Sequence, residues 1–119
     1  MLLNDNIMTH QELVNICIPL LERKFDLRET LQVFNRNQPM YWSWGVSKKL
    51  NIDDKGLLLK VSGNHHKGWV LISLGWNDTY TIHIISNKGE VLNEYKEIYW
   101  DMLADVIDDR IERIPEYRF

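Results

Sequence analysis

The stretch from Trp69 to Ser86, WVLISLGWNDTYTIHIIS, restricts the fold more than any other part of the chain. Two runs rich in β-branched and aromatic residues flank Asn77-Asp78, a pair that tolerates positive φ and closes tight antiparallel hairpins. With Asn77 and Asp78 as the two turn residues, Trp76 lies opposite Thr79. The register then continues through Leu74 with Thr81, Ile72 with His83 and Val70 with Ile85. That face is apolar. The other face, with Gly75 beside Tyr80, Ser73 beside Ile82 and Leu71 beside Ile84, is apolar too. Leaving either face wet would expose several large side chains at roughly 1.5–3 kcal/mol each. The hairpin therefore belongs in the middle of a sheet, not at a half-solvated margin.

A chain of 119 residues fits one domain and buries a core without disulfides or metal. Its net charge of −3 argues against a general nucleic-acid binder, which needs a concentrated basic surface. The single cysteine, Cys17, has no partner for an internal disulfide, and no apolar signal segment opens the chain, so a cytoplasmic location is expected. No apolar run approaches the roughly 20 residues that span a bilayer. Five tryptophans are the compositional oddity, and they call for a bulky core or an interface.

Thr9-His10-Gln11-Glu12 reads as a capping box, with Met8 and Leu13 as a hydrophobic staple. The helix it starts places Leu13, Ile16, Cys17, Leu20 and Leu21 on one stripe and runs to about Phe25, weakened at Pro19. Asp26 to Gln38 reads as irregular. Met40, Trp42, Trp44 and Val46 alternate with small residues, which predicts a strand, and a polar turn at Asn51 to Gly56 leads into a second strand from Leu57 to Ser62. GNHHKG is a loop into the central hairpin. Asn87-Lys88-Gly89 fits a three-residue turn with Gly89 left-handed, returning Val91 and Leu92 as a short last strand. A helix from about Glu94 to Ile114, stopped by Pro115, puts Tyr95, Tyr99, Leu103 and Ile107 on an apolar side, and Glu94, Glu97, Asp101, Asp105, Asp108 and Glu112 on the opposite side. The expectation is a single α+β domain over residues 1–119: an antiparallel meander of four or five strands with an N-terminal and a C-terminal amphipathic helix.

Gly89-Glu90-Val91 followed by Glu97-Ile98-Tyr99-Trp100-Asp101-Met102-Leu103 and Ile107-Asp108 resembles the C-terminal end of small bacterial proteins carried by phages and conjugative elements. The resemblance covers about a quarter of the chain and implies no activity.

The chemistry-bearing residues do not assemble into a reaction. His65 and His66 are adjacent and point apart in extended chain, and no H-x-x-x-H or C-x-x-C pair sets two metal ligands on one face, so no metal or cofactor is expected. His83, on an apolar strand, reads as a core histidine with a hydrogen-bond partner. Cys17 lies on a buried stripe, where a thiol behaves as a small hydrophobe. No nucleophile elbow, Walker loop or dinucleotide-binding glycine pattern is present.

Two features point to binding. The acidic band through Asp101, Asp105 and Asp108 is a solvated helix face or a surface for a partner, since like charges at i,i+4 are mildly unfavourable on their own. Trp42 and Trp44 share a strand face, while Trp69 and Trp76 lie in the hairpin; they furnish core, subunit interface or ligand platform. The expected function is that of a small binding or interaction protein, accessory to a mobile element, with a protein partner or a second copy of itself as a homodimer. Two other classes compete: an enzyme or ligand-binding domain with a pocket between sheet and N-terminal helix, using His83 or Tyr80, and a nucleic-acid-binding module gathering Lys48, Lys49, Lys55, Lys60, Lys67 and Lys88 on one sheet edge.

Overall fold

The central hairpin sets the architecture. In the computed structural model, which describes residues 9–36 and 38–112, five antiparallel strands follow one another in meander order, and the protein is an α+β domain. They are β1 (Lys48–Ile52), β2 (Gly56–Ser62), β3 (Lys67–Leu74), β4 (Tyr80–Ile85) and β5 (Val91–Ile98). β3 and β4 are interior strands, and every residue of β4 is buried.

The hairpin closes differently from the two-residue turn its sequence predicts. Gly75 N–H donates to the Thr79 carbonyl at 2.9 Å, Asp78 N–H donates to the Gly75 carbonyl at 3.0 Å, and Asp78 adopts φ 64°. Trp76, Asn77 and Asp78 thus form a three-residue loop with its last residue left-handed. The consequence is a one-residue shift that turns β4 over. Leu74 now faces Tyr80, Ile72 faces Ile82 and Leu71 faces His83. Both faces stay buried because both runs are apolar in either register.

One sheet face, carrying Leu59, Val70, Ile72, Ile82 and Ile84, packs against α2 (Leu27–Arg36), α3 (Gln38–Ser43) and α4 (Leu103–Ile111). The opposite face, carrying Leu58, Trp69, Leu71 and Ile85, packs against Leu13 and Cys17 of α1 (His10–Cys17). The helices thus pack on both faces of the sheet.

The capping box at Thr9 is complete: Glu12 N–H donates to Thr9 Oγ1 at 3.1 Å, and Thr9 N–H donates to Glu12 Oε1 at 2.8 Å. Met8, the other half of the expected staple, lies outside the described residues, as do Ile114 and Pro115. Pro19 ends α1 earlier than Phe25, because its ring forbids the next helical turn, and a 3₁₀ turn over Ile18–Leu20 follows. The segment read as irregular is mostly α2. Its first turn is held by Asp26, whose carboxylate accepts the Arg28 N–H at 3.0 Å, and Leu27, Thr30 and Phe34 give it a buried stripe at helical spacing.

Three further expectations are corrected. Met40 to Ser47 is no strand: Gln38–Ser43 is helical, and the first strand begins at Lys48, running into the residues read as a polar turn. Trp42 and Trp44 consequently share no face. Trp42 is 68% exposed, whereas Trp44 is wholly buried and donates its indole N–H to Asp108 at 3.0 Å. The expected long last helix is two elements, because β4 is buried along its whole length and needs a hydrogen-bonding neighbour on its outer side. Residues 91–98 provide it as β5; the turn through Tyr99 and Met102 then leads to the shorter α4. The Gly89 turn forms as expected, with φ 92° and a 3.0 Å bond from its N–H to the Ser86 carbonyl.

Candidate functional site

The chain between α1 and α2 must cross from one sheet face to the other, and it does so around the end that carries the β1–β2 and β3–β4 loops. Three contacts pin this strap. Glu22 Oε1 accepts the Trp76 N–H at 3.3 Å, Arg23 Nη1 donates to Asp78 Oδ1 at 2.7 Å, and Phe25 N–H donates to the Asp54 carbonyl at 2.9 Å. Glu22 is thereby held beside Gly75, where an added Cβ would stand 3.4 Å from Glu22 Oε1, in ordinary contact, and 3.1 Å from Asn77 Oδ1.

On the other side of the same sheet end, β5 is bulged. Tyr80 pairs with Ile98 but Ile82 pairs with Tyr95, so one extra residue is accommodated on β5, and Glu97 adopts φ 60°. A side chain other than glycine in this conformation costs about 1–2 kcal/mol. Strain of this kind is concentrated where a side chain is held for a purpose.

Between the strap and the bulge lies a cleft of about 360 Å³ lined by Glu22, Trp76, Thr79, Thr81, Lys96 and Glu97, together with Gly75 and Asn77. Trp76 stands at its rim, 74% exposed, with the Arg23 guanidinium 5.7 Å from its ring centroid. Thr81 is only 7% exposed, and its hydroxyl makes no hydrogen bond among the described residues. Glu97 likewise makes no hydrogen bond or ion pair among them, whereas Asn77 Oδ1 is committed to Thr79. Lys96 Nζ lies 3.8 Å from Glu94 Oε1, and Glu94 Oε2 accepts from His83 Nε2 at 2.8 Å, so a line of polar groups leads from the cleft into the sheet. The other ring nitrogen of His83, Nδ1, is buried and has no hydrogen-bond partner among the described residues.

The other expected site residues are dispersed. Trp69 is buried in the α1-side core, with Lys60 Nζ 4.8 Å from its ring centroid. Asp101 precedes α4, Asp105 is exposed on it and Asp108 is half-buried against Trp44, so these three form no uniform acidic surface. Glu94 and Glu97 lie on β5, and Glu112 is bound to Asn64. Tyr80 belongs to the opposite face, bonded to Thr30 Oγ1 at 2.9 Å, and burial raises its pKa. Cys17 is fully buried, which pushes its thiol up to about 11 and removes it as a nucleophile near neutral pH. His66 closes the far end of the sheet, its Nε2 3.1 Å from the Ile85 carbonyl. The six lysines do not gather on one edge: Lys48 and Lys49 lie on β1, Lys60 on β2, Lys67 at the start of β3, Lys55 in the β1–β2 turn and Lys88 in the β4–β5 turn. Among the described residues no group of three or more His, Cys, Asp or Glu is arranged to hold a metal ion, and no helix is long and apolar enough to cross a membrane.

Of the expected binding residues, only Trp76 reaches the cleft. The sequence pattern puts Glu97 in the acidic band of a long last helix and Asn77 only in a turn, and nothing in it marks Glu22, Thr79, Thr81 and Lys96 as neighbours, because they come from separate segments and the bulge that presents Glu97 has no glycine to mark it. No protein-family profile, curated protein or solved structure matches the chain.

Proposed function

We propose that this is a small binding protein whose working surface is the cleft beneath Trp76. The observation that carries the reading is convergence: an exposed indole, and a threonine hydroxyl and a strained carboxylate that have no partner among the described residues, meet in one concavity. A few polar groups converging beside an aromatic surface are the ordinary equipment of a small-ligand site. The cleft is not the pocket between sheet and N-terminal helix expected of a ligand-binding domain: it lies beside the strap after that helix, and its polar groups are not His83 or Tyr80. A screen of small soluble fragments followed by amide and indole NMR shifts tests it. Hits should cluster on Gly75, Trp76, Thr79, Thr81 and Glu97. Hits confined to other surfaces would remove the proposal.

A specific observation favours a second reading, contact with a protein partner. β5 is an edge strand of eight residues that exposes Val91 and Leu92 and leads into exposed Tyr99, Trp100 and Met102. A shallow hollow of about 310 Å³ on α4 adjoins Met102 and is lined also by Asp105, Val106, Asp109 and Arg110. A partner or a second copy that adds a strand to β5 would use the backbone of that edge and these apolar side chains. Sedimentation of the wild type against Leu92→Lys and Trp100→Ser variants checks the self-association form of this reading: concentration-dependent dimerisation lost in both variants supports it, and a wild-type monomer at millimolar concentration refutes it.

A further inference from the structure

Within the cleft, the balance of charge and hydrogen-bonding groups restricts what can enter. Glu22 and Glu97 bring two negative charges, Lys96 in the wall brings a positive one 3.8 Å from Glu94, and the Arg23 guanidinium beside the indole is paired with Asp78. A small ligand of either net charge therefore meets a like charge as well as an opposite one, and like-charge juxtaposition is an effective device of rejection. A hydroxyl group has no such conflict. It donates to a carboxylate and accepts from an ammonium at the same time, and both bonds are charge-assisted.

We infer that the cleft takes a neutral polyhydroxylated ligand, a saccharide unit laid against the indole of Trp76, with its hydroxyls shared between Glu97, Glu22, Lys96 and Thr81. The inference rests on the cleft being the binding site and adds the chemical class of its occupant. Three observations support that class beyond charge. The Thr81 hydroxyl belongs to a residue that lines the cleft, has no partner among the described residues and can both give and receive a hydrogen bond. Glu22 uses one carboxylate oxygen on the Trp76 backbone N–H and keeps the other, so the carboxylate is held at the backbone of the residue whose ring a sugar would stack on. The indole presents an electron-rich surface at the rim, and the C–H bonds on one side of a pyranose are its natural complement. At about 360 Å³ the cleft lies near the lower end of the range for small-ligand sites, which suits one or two sugar rings.

The test uses the full chain on a broad glycan array, followed by NMR titration with the glycans that bind and, separately, with putrescine and citrate as charged probes. The expected result is array binding that depends on Trp76 and a saturable shift of the Trp76 indole and the Thr81 and Glu97 amides. Trp76→Ala should weaken binding about tenfold or more, as loss of an aromatic stacking partner does. Thr81→Val and Lys96→Gln should each weaken it severalfold, while Trp42→Ala, altering an exposed tryptophan outside the cleft, should leave it unchanged. Because Trp76 and Lys96 are exposed, their replacement leaves the core intact, which the dispersion of the amide spectrum confirms. The absence of any Trp76-dependent glycan signal would overturn the inference. So would saturable binding of putrescine or citrate in the cleft in place of glycans, although the cleft would then still stand as a binding site. Fragments that avoid the cleft altogether would refute both.

Discussion

Raising the pH from about 8 to about 11 should destabilise the wild-type protein more than a Cys17→Ala variant, and the difference has a calculable size. Cys17 packs with Leu13 between α1 and the sheet and has no exposed surface. Desolvation disfavours its thiolate, so its pKa rises from 9.0 to about 11. Well below pH 9 the thiol is protonated in both the folded and the unfolded chain, and the contribution is fully present. Between the two values the unfolded chain releases its proton and the folded chain keeps it. The unfolded state then binds fewer protons, so stability falls as pH rises, by up to about 1.4 kcal/mol per pH unit. Across the window the loss is roughly 2–3 kcal/mol, a sizeable fraction of the stability of an ordinary small domain. Tyr41 and Tyr80, whose pKa values burial also raises, titrate above pH 10 in both proteins and cancel in the comparison. Alanine leaves a small cavity, but that cost does not vary with pH. Urea unfolding midpoints under reducing conditions, taken at intervals through this range, give the two curves. They should converge as the pH rises, with the wild type losing its lead. Parallel curves would refute the reasoning, and they would mean that the thiol is hydrated in the folded protein.

Two further outcomes follow from the packing. Glu97→Gly should stabilise the fold by about 0.5–1 kcal/mol, since glycine adopts the left-handed conformation without strain, while saccharide binding weakens. Thermal melts read beside the glycan titration check both halves, and a destabilised variant would show that the bulge carries no strain. Tyr80→Phe should cost about 1–2 kcal/mol, because it strands the buried Thr30 hydroxyl; in a Thr30→Val background the same change should cost far less, which a double-mutant cycle by urea unfolding measures.

The particular elements show how far the residues speak for themselves. Local signals were sufficient where one short segment decides its own geometry: the reciprocal Thr9 and Glu12 bonds, the left-handed Gly89, and the two apolar runs around Asn77 that place β3 and β4 inside the sheet. Burial of Cys17 was legible for the same reason, as a helical stripe shows its apolar side without reference to a partner. Residues 94–98 show the opposite case. Their helical periodicity is real, yet the outer edge of β4 offers a ladder of hydrogen bonds that an isolated segment cannot know about, and the ladder wins. Met40 to Ser47 alternates like a strand and folds as helix and turn because Trp44 finds Asp108 across the core.

What the sequence determined by itself is therefore the fold class, the central position of the hairpin and the absence of a self-evident reaction motif. The tertiary structure alone decided which way β4 faces, since a single left-handed residue at Asp78 turns the whole strand over. It also decided the cleft. Glu22, Thr81 and Glu97 are distant in the chain and become neighbours only when the strap wraps the sheet end opposite a bulge, because side chains converge in space through packing and not through spacing.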